Sequence, residues 1–99
     1  MGRNVVIQAT LKDQDGNPVA NKTINFYYRV SGETTWNNAG SDTTDNNGVA
    51  SVTVNLDVPQ TYDFRAEFTG DEDYEPSSAE LDNVKVKAKT TITLEIIPQ

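Results

Sequence analysis

The chain has 99 residues, enough for one domain around a single modest core. Its 15 acids against 8 bases leave a formal charge of −7, which repels phosphate backbones and argues against nucleic acid or direct membrane insertion as modes of partnership. It contains neither cysteine nor histidine, so disulfide staples and imidazole-assisted nucleophilic catalysis are both excluded.

An apolar share of 35% is low for a globular chain. It suffices for a two-layer sheet protein, in which each strand buries only one face. Val5, Ile7, Ala9 and Leu11 alternate with polar neighbours and predict a first strand with one buried side. Asp13-Gln14-Asp15-Gly16-Asn17-Pro18 is a turn, where glycine supplies a positive φ and proline blocks ladder pairing. Ile24, Phe26, Tyr28 and Val30 then alternate with Thr23, Asn25, Tyr27 and Arg29, the strongest strand pattern in the chain. Thr34 to Gly40 reads as a weaker strand holding Trp36, and the polar stretch Ser41 to Gly48 as a connection with room for one short edge strand.

Ala50, Val52, Val54 and Leu56 predict the next core face, and Asp57-Val58-Pro59-Gln60 the turn after it. Tyr62, Phe64, Ala66 and Phe68 follow, opposite Asp63, Arg65 and Glu67. After the acidic loop Gly70 to Ser78, Val84, Val86 and Ala88 mark a strand out of phase with Ala79 and Leu81; a bulge near Asp82-Asn83 reconciles the two phases. Ile92, Leu94 and Ile96 alternate once more, but the sandwich already looks complete at Ala88. The expected division is therefore a domain over 1–89, with 90–99 a C-terminal strand or linker, either a tail or the start of a following repeat. Met1-Gly2-Arg3 looks like an added start, and the chain reads as a piece of a larger protein.

In order along the chain, several segments together resemble the bacterial immunoglobulin-like domains of prokaryotic surface and secreted proteins. They are Asp15-Gly16-Asn17-Pro18-Val19, Thr23-Ile24-Asn25-Phe26, Thr44-Asp45-Asn46-Asn47-Gly48-Val49-Ala50, Tyr62 through Asp71, and Tyr74 with Pro76-Ser77-Ser78. The resemblance covers Asn4 to Ala88. It implies an all-β immunoglobulin-like sandwich of roughly seven antiparallel strands with Greek-key connections and no disulfide. It also implies that Tyr62 forms a tyrosine corner, that Phe26 and Phe64 fill the space a disulfide occupies elsewhere, and that Trp36 is the core tryptophan of the third strand.

Candidate chemistry is sparse. Serines at 31, 41, 51, 77 and 78 lack a histidine base, and a small sandwich offers little groove for a carboxylate pair, so the chain is not expected to be an enzyme. Asp13, Asp15, Asp71 and Asp73, with Glu75, are hard oxygen ligands in loops and make calcium the one candidate ion; no other cofactor is implied. The EF-hand spacing fails, because aligning Gly16 to the loop glycine puts Leu11 and Lys22 at ligand positions. Tyr27 and Trp36 are the candidates for a sugar-stacking platform, set against the core role of Trp36. Lys22 and Lys85 have no motif for an isopeptide crosslink.

The leading expectation is a structural or adhesive spacer in a tandem array, extracellular or on a cell surface. Its partners would be neighbouring domains of the parent protein and a surface protein or glycan. The alternative is a carbohydrate-binding module attached to an extracellular enzyme. A fully buried Trp36 favours the first, exposed aromatics the second.

Overall fold

The computed structural model describes residues 4–56, 61–72, 74–85 and 90–96. Seven strands run in order: β1 (Asn4–Leu11), β2 (Thr23–Val30), β3 (Asn37–Thr43), β4 (Val49–Asn55), β5 (Thr61–Phe68), β6 (Ser77–Lys85) and β7 (Thr90–Ile96). They form two sheets, one ordered β4-β1-β7 and one ordered β3-β2-β5-β6. Strict alternation dictates the layers. Val5, Ile7, Ala9 and Leu11 of β1 are wholly buried against Ile24 and Phe26 of β2 and Phe64, Ala66 and Phe68 of β5. Burial of each phenylalanine stabilises the fold by about 1.5–3 kcal/mol, so the three phenylalanines anchor the small core.

The bulge expected at Asp82-Asn83 is present. Tyr62 pairs with Val84 and Phe64 with Leu81, so two residues of β6 face the single residue Asp63 of β5. Asn83 takes up the distortion at φ 59°, in the left-handed region that asparagine tolerates. Val86 and Ala88, expected to continue this strand, lie outside the described residues.

Two expectations are corrected. The segment after residue 89 does not stand apart as the opening of a following repeat: β7 pairs with β1 from Val5↔Thr90 to Leu11↔Ile96, and Ile96 is buried at 1% exposure. Pairing within this sandwich satisfies the open edge of β1 and completes the core floor. That pairing is also parallel, whereas the other four described strand pairs are antiparallel. Trp36, in turn, precedes the third strand instead of sitting within it and is only half-buried. The ladder of β3 starts at Asn37 and its inner side is occupied by small residues such as Ala39, so no site for a core indole exists there.

Two turns share one design. In Asp13-Gln14-Asp15-Gly16-Asn17 the Asp13 carboxylate accepts the N–H groups of Asp15 and Asn17, each at 2.9 Å, and Gly16 N–H donates to the Asp13 carbonyl at 3.0 Å. In Asp45-Asn46-Asn47-Gly48-Val49 the Asp45 carboxylate accepts from Asn47 (2.8 Å) and Val49 (3.0 Å), and Gly48 N–H donates to the Asp45 carbonyl (2.9 Å). Aspartate thus supplies the acceptor and glycine the positive φ, 87° at Gly16 and 77° at Gly48. The second turn packs on the first strand's end: Leu11 N–H donates to the Gly48 carbonyl at 2.7 Å.

Candidate functional site

Two of the acids proposed for calcium, Asp13 and Asp71, accept backbone N–H groups of their own turns. Asp13 serves its own turn, and its hydrogen bonds, led by that from the Asn17 amide, hold its carboxyl below the ordinary aspartate value against a smaller opposing effect of burial. Asp71 accepts the Tyr74 amide at 3.0 Å and pairs with the Lys22 ammonium, which also lies 5.7 Å from the centre of the Tyr74 ring. Asp15 is exposed on the first turn, and Asp73 lies outside the described residues. Among the described residues no group of three or more acids comes together around a common point. Asp13 and Gly16 together supply the acceptor and the positive φ that this turn needs.

The outer face of the β3-β2-β5-β6 sheet brings the other candidates together. Register sets Tyr27 opposite Arg65 and Arg29 opposite Asp63 on the adjoining strands β2 and β5, and Arg65 opposite Glu80 on β6. Tyr27 and Trp36 line one open hollow of about 360 Å³ with Arg65 and Glu67. Arg65 bonds Glu67 at 3.1 Å and lies 3.5 Å from Glu80, so its guanidinium is held between two carboxylates. A second hollow, of about 370 Å³, shares Arg65 and Glu67 and extends to Pro76, Ser77 and Ser78. The two hollows therefore meet at one ion pair. Glu80 is pushed above the ordinary glutamate value, chiefly by its hydrogen bond with Asp82, with burial and the Asp82 charge adding and the two arginines opposing.

Trp36 is positioned from beneath. The Arg29 guanidinium stacks on its ring at 4.1 Å from the centroid. Arg29 is itself fixed by Asp63, Nε to Oδ2 at 2.8 Å. Asp63 is 4% exposed and accepts further bonds from the Ser31 hydroxyl (2.8 Å) and the Asn83 amide (2.9 Å). The Asn83 bond is the largest influence holding the Asp63 carboxyl below its ordinary value, with Arg29 and Ser31 helping and burial opposing. Sequence reasoning missed this residue: alternation put Asp63 on the outward face with Arg65 and Glu67. The readable signal was the bulge at Asp82-Asn83, which turns an amide toward β5.

The bacterial Ig-like domain family (group 1) matches residues 2–84. No curated protein matches the chain. Among solved structures, 3-chlorocatechol 1,2-dioxygenase from Rhodococcus opacus is similar at 12% identity and TM-score 0.64, over 100% of this chain and 61% of that one. Catechol 1,2-dioxygenase from Acinetobacter radioresistens is similar at 9% identity and TM-score 0.61, over 99% and 53%. A DUF3823 family protein from Parabacteroides merdae is similar at 13% identity and TM-score 0.56, over 99% and 48%. At these identities the likeness is one of fold, and the chain spans about half to three-fifths of the length of these proteins.

Proposed function

The chain belongs to the bacterial Ig-like domain family (group 1), and on that footing we propose that it is a non-catalytic spacer or adhesive module of an extracellular or cell-surface protein. The observation that carries the mechanical part of this reading is the parallel ladder between the first and last described strands, seven residue pairs long. Parallel strands point the same way, so tension applied before β1 and after β7 pulls them in opposite directions along their own axes. All the ladder hydrogen bonds then resist together in shear, whereas a hairpin pulled at its open end yields one bond at a time. The Lys12 N–H bond to the Ile96 carbonyl (3.0 Å) extends the clamp by one step. The lack of histidine and cysteine supports the non-catalytic part, and among the described residues no helix is long and apolar enough to cross a membrane.

Single-molecule pulling tests this. Stretching through the two termini should give one abrupt unfolding event at clearly higher force than stretching the same domain through handles at Thr23 and Thr43, which unzips the β2–β3 hairpin. Equal forces in the two geometries would refute the shear clamp and with it the tensile role.

A further inference from the structure

We infer that the outer face of the β3-β2-β5-β6 sheet is a binding groove for a neutral, extended β-1,4-linked oligosaccharide. This inference is independent of the mechanical reading, which concerns the other sheet. Three observations carry it. First, the two hollows meet at Arg65 and Glu67, so together they run across the strands from Trp36 toward Ser78. With strands spaced 4.7–4.9 Å apart, the path from β3 to β6 is about 14 Å long, which suits several linked rings rather than one. Second, Trp36 and Tyr27 wall one end, and Trp36 is held in place through Arg29 and Asp63. Pyranose rings present a patch of C–H bonds that stacks on an aromatic face, and a ring already fixed loses little freedom on binding. Third, the polar groups between and beyond the rings match sugar hydroxyls: the Arg65–Glu67 pair offers planar donors and acceptors, and Ser78, paired with Glu67 on the same face, is exposed.

Charge and shape narrow the ligand. Glu67 and Glu80 flank Arg65, Asp82 bonds Glu80, and the chain is strongly acidic, which disfavours uronate or sulfated sugars. An open, shallow path over a sheet fits a ribbon-like chain better than the coiled form of an α-linked glucan.

The probes are cellohexaose, xylohexaose and N-acetylchitohexaose, with maltohexaose as the coiled comparison, read by calorimetry and by the emission of Trp36, the sole tryptophan. At least one ribbon oligosaccharide should bind saturably and alter the emission, and maltohexaose should not. Tyr27→Ala and Arg65→Ala should each weaken binding about tenfold with the melting temperature nearly kept. Ser78→Arg, which fills the far hollow without touching Tyr27 or Trp36, should weaken the hexaose as well. The inference is overturned if none of the three ribbon probes binds, if maltohexaose binds as well as they do, or if binding survives Tyr27→Ala and Arg65→Ala.

Discussion

Gly16 and Gly48 hold the same place in two turns of the same design, yet replacing them should have different costs. Both have positive φ, 87° and 77°, so alanine at either meets the left-handed penalty of about 1–2 kcal/mol. A methyl group at Gly16 would touch nothing within 4 Å. At Gly48 it would lie 2.5 Å from the Leu11 carbonyl oxygen and 3.2 Å from both the Pro18 Cβ and the Val19 nitrogen. Relief requires moving backbone, because Leu11 is tied on both sides: its N–H donates to Gly48 at 2.7 Å and its carbonyl accepts from Val19 at 2.9 Å. Forcing extra volume into a packed site adds about 1–3 kcal/mol. Gly48→Ala should therefore destabilise by about 2–5 kcal/mol and Gly16→Ala by about 1–2 kcal/mol. Urea unfolding followed by far-ultraviolet circular dichroism should show both midpoints lowered at unchanged slope, Gly48→Ala more so. In thermal melts a difference of 1 kcal/mol is worth at least about 4 °C in a domain of this size. Equal losses for the two variants would refute the close docking of the second turn on β1.

Three further variants have expected outcomes. Asp63 has a lowered native pKa, so the folded state binds fewer protons than the unfolded chain; its stabilisation is present at neutral pH and fades as pH falls below about 4. Asp63→Asn should be less stable at pH 7 and should show a flatter stability profile between pH 5 and 2 than the parent, as measured by urea titrations across that range; an unchanged acid limb would remove Asp63 from the account. Ile96→Ala should cost about 2–5 kcal/mol, and deletion of residues 90–99 should abolish the cooperative melt; a truncated chain as stable as the whole would mean that β7 does not belong to this sandwich.

Most of the sandwich was legible because period-two alternation survives in β1, β2, β4 and β5, where one face is buried and the other wet. The sequence pattern fails where geometry departs from a flat ladder. In β5 three successive residues, Tyr62, Asp63 and Phe64, are buried, because the bulge in β6 covers Asp63 with the Asn83 amide and leaves its carboxylate to Arg29 and Ser31. Trp36 was misplaced for a related reason: an indole in a β-rich sequence is presumed to be core, but its strand begins one residue later, and a cation on the outer face gives the ring an alternative partner. For β7 the alternation was visible but its partner was not, since pairing between the first and last strands spans nearly the whole chain and leaves no local mark.

The two proposed roles use different sheets, and this has a physical consequence. The clamp is the ladder of β1 with β7, while the groove lies on the far side of the other sheet and takes no residue from β1, β4 or β7. Between them stands the core, in which Phe26 and Phe64 from the groove-bearing strands are fully buried against β1. Packed interiors resist gradual deformation and give way cooperatively. Tension below the shear limit of the ladder should therefore leave the Asp63–Arg29–Trp36 arrangement intact, and a glycan seated on the outer face should stay bound until β1 and β7 separate. A tether built this way holds its ligand under load without routing the load through the binding site.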